Sequence, residues 1–193
     1  TLFFVLSGYL ITDLLVVEWK RDRTIDFKRF WLRRARRLLP AMYVMVIAVT
    51  AWITLFDRQL VHTLKEDLLS VFFYFSNWWF IYKDVSYFET YDSPSLVTHF
   101  WSLAVEEQFY IMWPVIIFIL FFLFRKKQVV GFILFLLMAA STVWMGILYE
   151  PGEDPTRVYY GTDTRAFSLI VGALLAFVWP SRQLSADVGK GAK

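Results

Sequence analysis

Long apolar runs recur along the whole chain, separated by short polar stretches: Thr1–Val17, Pro40–Phe56, Leu68–Tyr82, Trp101–Phe124, Gln128–Tyr149 and Thr164–Trp179. Several approach the roughly 20 residues that cross a bilayer as a helix. The pattern predicts an all-α, polytopic membrane bundle over residues 1–180, closed by Pro180 and followed by a polar, basic tail or linker over 181–193. In the first run Ser7 and Gly8 are small enough to let a second helix approach closely. Asp13 stands near the end of that run, either as a solvated terminus or as part of a site.

Between the first two runs the pattern becomes amphipathic. Phe27, Phe30, Trp31, Ala35, Leu38 and Leu39 recur at helical spacing, while Arg29, Arg33, Arg36 and Arg37 line another face. Asp26 is placed to cap this segment and Pro40 to end it. The expectation is an arginine-rich helix lying in the cytoplasmic membrane surface. Leu68–Tyr82 is about 15 residues long, short for a span, and rich in Trp and Tyr. If the arginine helix and the turn Arg125-Lys126-Lys127 are both cytoplasmic, Pro40–Phe56 and Trp101–Phe124 are the two crossings between them. Leu68–Tyr82 should then re-enter, or lie buried, without crossing. Asp57–Asp67 with His62, Lys83–Thr98 and Pro151–Pro155 read as loops.

Composition supports the membrane assignment: 58% of the 193 residues are hydrophobic and 20% aromatic, more than a soluble domain of this size would carry. With no cysteine, thiol nucleophiles, thiolate metal sites and disulfides are excluded, and two histidines make a metal site improbable. The net charge of +3 hides an asymmetry, for Glu18–Arg37 holds nine Lys or Arg against three acids. Thr1 opens inside an apolar run without the basic start of a signal peptide, so the chain reads as an internal fragment.

Candidate chemistry concentrates in His99–Pro114, where Glu106 and Glu107 enter an apolar segment. A carboxylate there costs about 2.5–3.5 kcal/mol on the mildest insertion scales, which makes it a functional hypothesis by default. On a helix Glu106 shares a face with Ser102, Phe109, Tyr110 and Trp113, and with His99 if the helix starts early. Such a carboxylate can serve as general acid or base, carry a proton, or pair with a cation such as Arg165. The five arginines between 29 and 37 either anchor the chain to anionic lipid or form a phosphate site. Asp163, in Tyr160-Gly161-Thr162-Asp163-Thr164-Arg165, is placed to cap the last helix.

Four motifs occur in order over about 165 residues: Phe3-Phe4-Val5-Leu6-Ser7-Gly8-Tyr9-Leu10-Ile11-Thr12, Arg33-Arg34-Ala35-Arg36-Arg37-Leu38-Leu39-Pro40, His99-Phe100-Trp101-Ser102-Leu103-Ala104-Val105-Glu106-Glu107-Gln108-Phe109-Tyr110, and Tyr160–Arg165. Together they resemble the membrane-bound acyltransferase-3 family, especially its branch that O-acetylates peptidoglycan or lipopolysaccharide. The resemblance implies transfer of an acyl group, usually acetyl, from cytoplasmic acyl-CoA to a hydroxyl of a cell-envelope glycan, by a multi-pass protein of the plasma or inner membrane. It implies no metal and no nucleic acid; the partners are membrane lipid, the glycan acceptor and, in some members, a downstream extracytoplasmic domain. It assigns the coenzyme phosphates to Arg33, Arg34, Arg36 and Arg37 and the carboxylate site to Glu106 and Glu107. An outer-loop acyl relay would fall on Tyr87, with Tyr91 in reserve. His99, Trp101, Ser102 and Tyr110 would stand about the reacting group. The family's principal histidine lies upstream of Phe3, and neither His62 nor His99 takes its place, so this chain alone is expected to be inactive. The competing reading is a proton- or ion-coupled transporter using the same carboxylates, which would have little need of clustered arginines.

Overall fold

The computed structural model describes residues 2–56, 61–85 and 97–181. The described residues form eight helices: α1 Leu2–Asp22, α2 Phe27–Phe56, α3 Val61–Phe72, α4 Ser76–Tyr82, α5 Phe100–Leu123, α6 Lys127–Leu148, α7 Thr156–Tyr160 and α8 Thr162–Val178. Of these, α1, α2, α5 and α6 are long and apolar enough to cross a membrane. The protein is an all-α membrane helical bundle. It divides into two compact units, one of Thr1–Ile25, Phe109–Tyr149 and Asp163–Lys193, the other of Asp26–Gln108 and Glu150–Thr162.

In the first unit α1, the second half of α5 and α8 run in the same direction. Thr12 of α1 meets Trp113 of α5, whose indole donates to its hydroxyl at 2.8 Å, and one to two turns further on Trp19 packs against Phe118 and stacks on Phe121. Phe121 in turn meets Phe177 of α8. The approach of α1 to α8 is set by two glycines. A Cβ on Gly8 would fall on the carbonyl oxygen of Leu169, and one on Gly172 on the carbonyl oxygen of Val5. These are backbone-to-backbone contacts of the kind that small residues permit in lipid. Helix α6 returns antiparallel: its Ser141 hydroxyl donates to the carbonyl of Asp163 and accepts from the Phe167 N–H, 3.1 Å away, near the start of α8.

Asp13 is not a solvated terminus. It is buried, and its carboxylate accepts from the N–H and the hydroxyl of Ser181. Asp163 lies inside the first turn of α8 and not at its cap, where its negative charge suits the helix dipole and its carboxylate accepts from the Trp144 indole at 2.8 Å.

In the second unit the arginine-rich segment is not a separate surface helix. It is the start of α2, which continues through Pro40 to Phe56. A proline in a helix interior removes one hydrogen bond, here to the carbonyl four residues back, and the apolar run on its C-terminal side has no other way to satisfy its backbone in lipid. Thirty residues span about 45 Å, so roughly a third of α2 exceeds a ~30 Å hydrocarbon core. Asp26 caps this helix as expected, its carboxylate accepting from the Arg29 N–H at 2.9 Å. His62 lies in α3 and not in a loop. The segment Leu68–Tyr82 is broken by a turn at Phe73–Phe75 into the end of α3 and the seven-residue α4. Tyr74, at the break, adopts φ of 54°, a conformation that bulky residues avoid. Helix α4 packs against α7.

Candidate functional site

The polar residues of the second unit converge on the first half of α5. Gln108 is their hub and uses its whole amide. Its nitrogen donates to the Tyr74 carbonyl at 2.7 Å and to Asn77 Oδ1 at 2.9 Å; its oxygen accepts from the Thr162 hydroxyl at 2.6 Å and the Trp78 indole at 3.4 Å. Asn77, fully buried on α4, donates to the Tyr160 carbonyl at 3.0 Å and to Thr162 Oγ1 at 2.9 Å. This closed network fixes the turn at Tyr74, α4 and the end of α7 against α5. It also explains how Tyr74 is held at positive φ: Gln108 grips its carbonyl. Replacing Gln108 by Leu strands the buried Asn77 amide oxygen at about 1–3 kcal/mol and also removes the partners of the half-buried Tyr74 carbonyl and Thr162 hydroxyl. Thermal unfolding in detergent should therefore show a large loss of stability, with Gln108→Glu less damaging than Gln108→Leu.

One residue before this hub, Glu107 faces the arginine segment of α2. Its Oε1 lies 3.7 Å from Arg34 Nε, an ion pair longer than a hydrogen bond, and both side chains are largely buried. Glu107 Oε1 is buried with no hydrogen-bond donor among the described residues. A buried acceptor left open in a native structure is a place where water or substrate completes the set. The charge of Glu107 is felt nearby: the Tyr74 phenol is pushed above its ordinary value, first by burial and then by the charge of Glu107 and by Tyr43.

Glu106 is 1% exposed, with Ala104 and Val105 completely buried beside it. Trp101 packs on Tyr159 and Tyr160, with ring centroids 4.8 and 5.4 Å apart. Tyr110 is buried. Ser102 donates to the His99 carbonyl at 3.2 Å. His99 itself is exposed in the turn that precedes α5, so the helix does not start early enough to carry it onto the face of Glu106. Arg33, Arg36 and Arg37 are exposed and, at spacings of three and four, share one face of α2, whereas Arg34 turns inward to Glu107. Ser7 is half-buried on α1 and Arg165 on α8. Tyr87 and Tyr91 lie outside the described residues.

Sequence reasoning missed Gln108, Asn77, Thr162 and Tyr74. Gln108 stood inside the Glu-Glu-Gln element, and the signal that could have found it is an amide following two carboxylates in an apolar segment.

Comparison with known proteins gives these residues a context. The family model described as an acyltransferase domain matches residues 1–188. The putative peptidoglycan O-acetyltransferase YrhL of Bacillus subtilis is 50% identical over 186 residues, covering 96% of this chain and 29% of the relative. The peptidoglycan O-acetyltransferase OatA of Listeria monocytogenes is 47% identical over 192 residues, 100% of this chain and 31% of the relative. The putative O-acetyltransferase SACOL0978 of Staphylococcus aureus is 44% identical over 191 residues, 99% and 32% respectively. The chain therefore spans about a third of the length of these curated relatives. No solved structure matches it. With the match running through the α2 arginines, the Glu-Glu-Gln element and the start of α8, the chain belongs to the acyltransferase-3 family.

Proposed function

We propose that this chain is the membrane-embedded part of an O-acetyltransferase that moves an acetyl group from cytoplasmic acetyl-CoA to a hydroxyl of an extracytoplasmic envelope glycan, peptidoglycan being the first candidate. The observation that carries this reading is the Arg34–Glu107 pair, which ties the arginine segment to the Glu-Glu-Gln element. Arg33, Arg36 and Arg37 fit the coenzyme phosphates: they are exposed on one helical face, and none of them makes an ion pair among the described residues. Bound there, the coenzyme supplies the activated thioester. Glu107 orients the acceptor hydroxyl or takes its proton through the open oxygen, and Arg34 fixes the carboxylate. Glu106, one residue away, shares the proton-handling role. Tyr87 is assigned to the relay on the outer side.

The proposed topology follows from helix direction. Because α1 and α5 run the same way, an odd number of crossings separates them. Among the described residues α2 is the span-length helix between them, so α3 and α4 return to the side they start from. Lys20–Arg23 and Arg125–Lys127 then lie on the cytoplasmic side of the plasma membrane.

The test uses the complete protein in inside-out vesicles with labelled acetyl-CoA. Arg33→Gln with Arg36→Gln should weaken donor binding by at least about 100-fold, since each charged hydrogen bond contributes ~1.5–3 kcal/mol. Unchanged binding would remove α2 from the donor site. A parent that ignores acetyl-CoA but carries an ion flux abolished by Glu106→Gln would replace the enzyme with a transporter.

A further inference from the structure

The first unit carries a cationic site of its own. The end of α1 and the turn between α5 and α6 enclose a cavity of about 710 Å³, lined by Lys20, Arg23, Arg125 and Lys127 with Trp19 and Phe121. Its volume is within the usual range for small-molecule sites of roughly 300–1,000 Å³. None of the four cations makes an ion pair among the described residues. The nearby acid Asp22 pairs with Arg21 at 2.7 Å instead, and neither residue lines the cavity. Lys20 and Lys127 are close enough to repel one another. With four cations bordering one cavity, the complementary ligand is an anion of more than one charge, or a surface that supplies several. The remaining wall is apolar: Phe122 and Phe124 line it and are 72% and 37% exposed. A free inorganic anion would leave that wall without a partner. Trp19, stacked on Phe121, forms part of that wall.

We infer that this cavity binds a phosphate ester carried on an apolar or aromatic body, the phosphate among Lys20, Arg23, Arg125 and Lys127 and the body along Trp19 and the phenylalanines. That chemistry has two sources, the headgroup of an anionic phospholipid entering from the bilayer and a soluble nucleotide-type phosphate entering from the aqueous side. The inference does not rest on acetyl transfer and is read by binding alone.

The complete protein is reconstituted in nanodiscs of phosphatidylcholine and titrated with labelled short-chain phosphatidylglycerol and, separately, with labelled adenosine 3′,5′-bisphosphate. The comparison is between Arg125→Gln and Lys126→Gln, two exposed neighbours with the same charge change, of which only Arg125 lines the cavity. Saturable binding of one probe, weakened about fivefold by Arg125→Gln and left within about twofold by Lys126→Gln, is expected from the contribution of one basic residue at an anionic surface. Binding of phosphatidylglycerol identifies the lipid as the source; binding of the bisphosphate identifies the soluble ligand. If neither probe saturates, or if the two variants act alike, the cavity is only part of a diffuse basic surface and the inference is overturned.

Discussion

Arg34→Gln should reduce acetyl transfer by the complete protein at least about 100-fold and also destabilise it by about 3 kcal/mol, the lower end of the range for removing one partner of a buried ion pair. The lower end applies because the pair is 3.7 Å long and the Arg34 side chain keeps 20% of its surface exposed. Loss of activity alone would not separate chemistry from folding, so the informative variant is the double one. Arg34→Gln with Glu107→Gln removes both members of the pair, and its thermal unfolding in detergent should return close to that of the parent. Its turnover should stay at the level of the single variant. If turnover returns with stability, the pair holds α2 to α5 and has no part in transfer.

The second large effect concerns the helix contact between α1 and α8. Gly172→Leu places a side chain where the Val5 carbonyl oxygen now sits, and Gly8→Ala does the same against Leu169. The obstructing atoms are helix backbone, so no rotamer change relieves the overlap and one helix must move. Overpacking of this kind costs about 1–3 kcal/mol where side chains can adjust, and more where they cannot. Both variants should lose most of the folded, detergent-soluble protein on size-exclusion chromatography. Gly131→Ala is the control, because a Cβ there meets nothing within 4 Å. Equal yields from all three would mean that α1 and α8 are not in close contact.

What could be read from the sequence follows the range of the interaction. The span-length helices were legible because each carries its own apolar run, and the Asp26 cap because donor and acceptor lie three residues apart. Glu106 and Glu107 stood out as carboxylates in an apolar segment, and Gly8 as a contact point. The continuity of α2 was not legible: a proline forbids a helix interior on propensity, and only the demand for backbone hydrogen bonds in lipid overrides it. Nor was the pairing of Arg34 with Glu107, since nothing in helical spacing selects one guanidinium out of five. The Gln108–Asn77–Thr162 network joins residues 31 to 85 positions apart, and the basic cavity joins residues 20–23 to residues 125–127. Such sets exist only once the helices are side by side.

The bond from Ser181 to Asp13 has a consequence in time. The two residues are 168 positions apart, and at about 5–20 residues per second a ribosome needs roughly 8–34 s to make the second after the first. During that interval α1 is already in the membrane with a carboxylate whose native partner has not been synthesised. Its Thr12 hydroxyl waits for Trp113 as well, though for less long. Helix α1 is therefore inserted well before these polar groups are satisfied, and its apolar residues must hold it in the bilayer meanwhile. Substitutions that make α1 slightly less apolar should act on assembly during synthesis, lowering the amount of protein made while leaving the stability of the finished molecules unchanged.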